Sequence, residues 1–244
     1  MKRYLIFLVL VLVLAILACN VATIGSNTIR GSGNVVQEER PVGDFSGIQV
    51  TNQGDAIIEL GQAESLVVEA EDNLLEHIVT EVRGNTLVLG TENNVNLNNT
   101  KPIRYHLTVM TLDDIHITSS GNVTAPAIEA NAFAVRVSSS GNLDMDGIEA
   151  NRLEVDISSS GNVNIGVGQV EEQNIAITSS GEYDGRNVDS RQAQVRLSSS
   201  GDATIRVSDR LQADLSSSGN VYYTGNPEVN INESSSGRAI QRGE

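Results

Sequence analysis

Serine is the first candidate for chemistry in this sequence, by number and by spacing. Ser-Ser-Gly triplets end at Gly121, Gly141, Gly161, Gly181, Gly201, Gly219 and Gly237, with four intervals of 20 residues and then two of 18. A serine nucleophile needs a base, usually histidine, and a strained elbow of the G-x-S-x-G kind. That elbow is absent, and only His77, His106 and His116 could serve as base. A hydroxyl that recurs at every interval is a structural corner, because an active site is needed once. Paired carboxylates are the second candidate. Asp144 with Asp146, Asp113 with Asp114, and Glu171 with Glu172 could flank a glycosidic bond or hold calcium. On an acidic chain they read as a solvated face. Asp156, with Arg136 and Arg196 in the same phase, reads as a charge ladder between repeats. His116 heads that column and is expected to be exposed. Tyr222 could stack on a sugar ring, and Tyr223, in the opposite phase, belongs to the core.

The one cysteine, Cys19, carries a different chemistry. Lys2 and Arg3 precede an unbroken apolar run from Leu5 to Ala18. A short basic start followed by about 7–15 apolar residues is a secretory signal pattern, and the run is too short for a membrane span of about 20. Ile16-Leu17-Ala18-Cys19 resembles a bacterial lipobox, which implies cleavage after residue 18 and lipid on Cys19. Lipid would attach the chain to a membrane that its charge would avoid. A lone cysteine also excludes an internal disulfide and a Cys-based zinc cluster.

Composition narrows the remaining classes. The 244 residues include 16 Lys+Arg against 31 Asp+Glu, a formal charge of −15, which argues against nucleic acid and anionic lipid as partners. Hydrophobic residues make up 39% and aromatics only 3%, so the core must be built from thin aliphatic layers. No cofactor or metal is implied. The partners left are the membrane through Cys19 and a glycan or surface protein; the oligomeric state is open.

These residues are positioned by the repeat itself. Six and four residues before each glycine up to Gly219 stand apolar pairs such as Ile115/Ile117, Val135/Val137, Val155/Ile157, Ile175/Ile177 and Val195/Leu197. Polar residues mostly lie between them, the period-two pattern of a half-buried strand. A second strand follows each glycine (Val123, Leu143, Val163, Tyr183, Ala203, Val221). A third apolar point falls near Ile128, Ile148, Val167, Val188 and Val207. Such units bury an apolar face only by stacking, which predicts an all-β fold: a right-handed, parallel β-helix-like solenoid of about 20-residue coils. Glycine is expected at the corner for its freedom to take positive φ. Hairpins in an antiparallel sandwich or prism stay open as the rival arrangement.

The sequence divides into a lipoprotein signal peptide over 1–18, a flexible tether over 19–36, an atypical β cap over 37–110 and the Ser-Ser-Gly solenoid over 111–240. Gly54, within Phe45–Leu60, suggests a degenerate first coil. Glu233, at a core phase, suggests a C-terminal cap.

Several segments together carry a family resemblance. Phe45-Ser46-Gly47-Ile48, Val67-Val68-Glu69-Ala70-Glu71-Asp72-Asn73-Leu74-Leu75, Val82-Arg83-Gly84-Asn85-Thr86-Leu87-Val88-Leu89 and the serial Ser-Ser-Gly-Asn units resemble the DUF2807 family, described as an auto-transporter adhesin head, or head GIN domain. The likeness spans about residues 38 to 240. It implies a surface β-helix-like domain with an adhesion role, and it carries over no catalytic residue. The expectation is a lipid-anchored adhesin or scaffold without catalysis; the alternative is an envelope polysaccharide lyase or hydrolase on the same body.

Overall fold

The computed structural model describes residues 27–243, so the signal segment 1–18 and Cys19 lie outside the described residues. The chain runs through β1 (Asn27–Arg30), β2 (Val35–Arg40), β3 (Gly47–Val50), β4 (Asp55–Leu60), β5 (Ser65–Glu71), β6 (Ile78–Arg83), β7 (Thr86–Thr91), β8 (Val95–Asn98) and β9 (Arg104–Val109). It continues through β10 (Asp114–Ile117) and β11 (Val123–Ala125) into the long bent strands β12 (Ile128–Val137), β13 (Leu143–Ile157), β14 (Asn162–Ile177), β15 (Glu182–Leu197) and β16 (Asp202–Leu215). The last elements are β17 (Val221–Thr224), β18 (Glu228–Glu233) and β19 (Ala239–Gln241).

From β10 onward every pairing is parallel and joins residues one repeat apart: Val135 to Val155, Val155 to Ile175, Ile175 to Val195, and Val195 to Ala213. The fold is therefore a parallel β-solenoid, and the hairpin arrangement is excluded. Each coil has three straight stretches, seen in the pairing of β13 with β14 at 143–145, 147–150 and 152–157. Like residues stack in columns. Val135, Val155, Ile175, Val195 and Ala213 form one, and Val123, Leu143, Val163, Tyr183, Ala203 and Val221 another, all at most 2% exposed. Each buried aliphatic side chain contributes about 1.5–3 kcal/mol, a return open to a coil only when neighbours cover it above and below.

The seven repeat glycines also form one column, with Gly54 beneath them. A Cβ on each would land on the carbonyl oxygen of the glycine one coil earlier, from Gly121 over Gly54 to Gly237 over Gly219. This corrects the reason for glycine. Among the described residues positive φ occurs at Gly33, Gly84, Gly225 and Asn94, and at none of the repeat corners. The corners need glycine because successive backbones pass too closely for a side chain. The ladder runs straight through them, with Gly161 N donating to Ser139 O at 3.1 Å and Gly219 N to Ser199 O at 2.9 Å.

The cap is built out of sequence order. Strands β3 and β4 lie under β10 and β11, with Ile48 beside Ile115 and Ala56 beside Val123, so they are a true first coil. Beneath them lies a later segment, β7 under β3 and β9 under β4. Antiparallel β6 then covers β7, while β5 and β2 extend from β9, which replaces the parallel edge at this end.

Three further expectations are corrected. Residues 27–36 are not tether throughout, because β1 pairs with β8 and β2 begins at Val35. Val167 is 59% exposed; the regular 20-residue interval from Ile148 falls on Gly168, and Val167 stands beside Gly147. Arg196 does not adjoin Asp156, for Ala176 stands between them, and Arg136 pairs with Asp114 at 3.0 Å.

Candidate functional site

The Ser-rich corners are architecture at the level of single bonds. The residue just before several triplets returns its hydroxyl to the previous coil, as Thr118 does to Val50 O (3.3 Å) and Ser216 to Leu197 O (3.4 Å). Where the residue after the glycine is asparagine, it bonds from coil to coil in a column. Asn142 Nδ2 donates to Asn122 Oδ1 at 2.9 Å, Asn162 Nδ2 to Asn142 Oδ1 at 3.0 Å, and Glu182 N to Asn162 Oδ1 at 3.1 Å. Asp55 starts this column by accepting from Asn122, and Arg238 N ends it on Asn220.

The candidate acids and bases do not converge. His77 is held by Glu92 at 3.0 Å, and His106 lies 4.0 Å from Glu69. Half-buried His116 has its imidazole pushed below the ordinary value by burial, against the opposing pull of Asp114. Asp144 accepts from Asn164, Glu171 pairs with Arg191 and Glu172 with Arg152. Tyr222 lies under the Arg242 guanidinium at 3.8 Å, and Tyr223 is buried. Among the described residues no group of three or more His, Cys, Asp or Glu could hold a metal.

What the structure does bring together is a trough on the third side of the solenoid. Four cavities of about 280–610 Å³ share lining residues in series. Leu60 and Ile128 link the first two, Glu149 and Gln169 the next, and Gln169 and Val170 the last. The floor is low because Ala130, Gly147, Ala150 and Gly168 supply it. Its outward column is Glu129, Glu149, Gln169 and Asp189, paired directly in register. Arg206 follows and holds Asp189 at 2.9 Å. Leu60, Met110 and Val167 stand 46–59% exposed along it. The column recurs at the 20-residue interval and was detectable in the sequence, but its residues lie away from the serine corners that draw attention.

Behind the deep end of the trough lies a buried polar group that spacing alone does not announce. The repeat shortens from 20 to 18 residues after Gly201, and the pairing of β15 with β16 shifts register between Gly185 and Asp189. The shift leaves the Arg206 carbonyl facing the core. Ser190 Oγ donates to it at 2.7 Å and Gln173 Nε2 at 3.2 Å, while Tyr183 donates to Gln173 Oε1 at 3.2 Å. Gln173, in a column with Leu153 and Ala193, is fully buried because that oxygen needs partners.

At the cap, Glu71 is also fully buried. Burial pushes its carboxyl up, but bonds from the Thr100 hydroxyl and from the Thr100, Gly33 and Lys101 amides outweigh this and hold it below the ordinary range. Asp72 and Asn73 bind the same turn through Ser32, Asn34 and Arg30 O, so these three residues clamp the N-terminal arm to the head.

A family model described as "Putative auto-transporter adhesin, head GIN domain" (DUF2807) matches residues 44–227. Among solved structures, a "putative adhesin" from Bacteroides fragilis NCTC 9343 matches with a TM-score of 0.83 at 19% identity, covering 88% of this chain and 100% of that one. A "putative lipid binding protein" from Parabacteroides distasonis ATCC 8503 follows at 0.69 and 22%, with the same coverage. A "putative adhesin" from Parabacteroides merdae ATCC 43184 matches at 0.67 and 19%, covering 88% of this chain and 99% of that one. No curated protein matches the chain.

Proposed function

Since the chain belongs to the DUF2807 family, we propose that it is a lipid-anchored binding module of the cell envelope that works without catalysis. In this reading residues 1–18 direct export and are removed, and Cys19 carries the lipid. The segment from Cys19 to the first described strand spaces the head from the membrane. Family membership supports a place at the cell surface. The observation that carries the binding role is the continuous trough, whose outward groups repeat from coil to coil instead of meeting at one reacting atom. A glycosidase or lyase needs an acid and a base that converge across one bond, and here Asp144, Glu171 and Glu172 are each engaged along a ladder.

The test has two arms. Metabolic palmitate labelling is expected for the wild type and lost in Cys19→Ser; unchanged labelling removes the anchor. Incubation of the purified chain with envelope polysaccharide is expected to release no oligosaccharide. Turnover that disappears in Asp144→Ala or Asp156→Ala makes the protein an enzyme.

A further inference from the structure

We infer that the C-terminal end of the solenoid docks on the same end of a second copy of this chain, and that the contact joins copies standing on facing membranes. The surface is distinct from the trough, and the membrane geometry rests on the lipid anchor proposed above.

The two ends of the stack differ. At the cap, antiparallel β6 covers β7. At the other end β18 lies on β16 and β19 on β17, and among the described residues no strand covers them. Val229 and Ile231 continue the core columns of Leu211 and Ala213, yet stand 38% and 37% exposed where those two are fully buried. Ser234 N donates back to Leu215 O at 3.0 Å. The alternation of a parallel ladder then turns the N–H and C=O groups of Val229, Ile231 and Glu233 away from β16, along the axis. An apolar edge with unpaired backbone groups is a template for another strand.

Charge, register and shape select a second copy as that strand's source. From Gly219 to Gly243 the chain carries Glu228 and Glu233 against Arg238 and Arg242, a net charge of zero on a chain of −15, so two tips meet without net repulsion. An antiparallel register centred on Asn230 sets Val229 opposite Ile231 of the second copy, and Ile231 opposite its Val229, each pair exchanging both backbone bonds. It sets Glu228 opposite Asn232, so no like charges face each other. Glu233 lies beyond the paired span, where Ala239 N donates to it at 3.1 Å and Arg238 stands 3.6 Å away.

Shape fixes where the two-fold axis runs. A coil climbs about 4.8 Å over three sides, or about 1.6 Å per side. At this end β19 is highest, β18 one side lower, and the stretch 224–227 lowest. A two-fold through β18 lays the high side of each copy over the low side of the other. A two-fold through β19 leaves a gap of about one coil, and one through 224–227 makes the chains collide. Because the cap closes the opposite end, the contact forms a closed pair and no fibre.

The tip lies far from the anchor. Strand β1 enters at the cap, beside β8. The column from Tyr105 through Ala56 and Val123 to Ala239 has nine rungs, a height of about 40 Å. Copies anchored in one membrane point their tips the same way, whereas the two-fold needs them opposed, which facing membranes provide. A face of one 18-residue coil is smaller than a standard interface, so each contact is weak, with a dissociation constant on the order of 100 μM. Many such contacts between two membranes add their strength.

The first experiment is disulfide trapping in the full-length Cys19→Ser chain, which has no other thiol. Asn230→Cys places two thiols opposite each other at the two-fold, within disulfide reach, and exposed Asp146→Cys on the solenoid wall is the control. Under mild oxidation Asn230→Cys is expected to give at least about tenfold more covalent dimer than Asp146→Cys. Adding Ile231→Arg should remove the excess while leaving the melting curve in place, since the residue lies on the last, exposed rung. The second experiment mixes phosphatidylcholine vesicles bearing the lipidated wild type. They are expected to cluster with one another by light scattering, to ignore bare vesicles, and to lose clustering with Ile231→Arg. Equal trapping at Asn230→Cys and Asp146→Cys, or an excess that survives Ile231→Arg, overturns the tip contact. Clustering with bare vesicles makes lipid the partner and also overturns it. Trapping without clustering of lipidated protein overturns the facing-membrane geometry. Trapping in a chain that takes up no palmitate upholds the tip contact, and only the anchor falls.

Discussion

Replacing Gly161 by alanine separates two explanations of the corner column. If glycine were there for backbone freedom, the substitution would meet open space and asparagine would be the best replacement. The structure points to crowding instead. A Cβ on Gly161 would lie 2.5 Å from Val137 Cγ1 and 2.8 Å from Ser139 O, and closer still to Gly141 O. Carbon atoms rest at about 3.5–4.0 Å, so the coils must part by about 1 Å at a point where the backbone ladder holds them together. Overpacking of this kind costs about 1–3 kcal/mol, and the close contacts to backbone place Gly161→Ala near the top of that range. An unstrained Gly→Ala exchange would instead stabilise by about 0.4–1 kcal/mol, so the sign alone is informative. For a chain of this size the loss corresponds to a melting point lower by about 5–10 °C. Circular dichroism melts and urea titrations of wild type, Gly161→Ala and Gly161→Asn measure it, with Asn expected to be at least as damaging as Ala. Gly84 is the control, with φ +63° and nothing within 4 Å of a Cβ. There alanine should cost about 1–2 kcal/mol and asparagine clearly less. A neutral or stabilising Gly161→Ala, or rescue by asparagine at 161, would refute the crowding argument.

Glu71→Ala should release the N-terminal arm, because it strands the amides of Gly33, Thr100 and Lys101; a loss of about 3 kcal/mol is expected, with hydrogen exchange rising first across 27–40. The Glu71 carboxyl is held below the ordinary range in the folded state, so its contribution is full above the unfolded value and disappears as pH falls through the folded one; the same arm should loosen in acid and stay protected at neutral pH. Tyr105 and Tyr183 have hydroxyls pushed upward by burial, so spectrophotometric titration should show two phenols that ionise only on unfolding, and stability should fall as pH climbs above about 10. Two phenols titrating with the exposed set in the folded protein would contradict that burial.

Much of the solenoid was legible because a repeat writes its contacts into the sequence. When residues one interval apart stack, Val135, Val155 and Ile175 announce both the strand and its neighbours. The same logic placed Gly54 at the base of the glycine column despite its degenerate surroundings. Legibility ended where the interval broke. The shortening after Gly201, which buries Gln173 and Ser190, alters which atoms face each other without leaving a local pattern.

The sequence by itself determined the phase: which residues point inward, where each coil turns, and that like must lie on like, since period-two alternation and a constant interval admit few other ways to bury aliphatic side chains. Tertiary structure alone decided the rest. It set β7 and β9 beneath strands that precede them in the chain, closed the end with antiparallel β6, and drew Gly33 and Thr100 onto one buried carboxylate. It also joined small residues from successive coils into a trough. These are contacts between segments with no shared interval, and their energy exists only once the stack has brought them together.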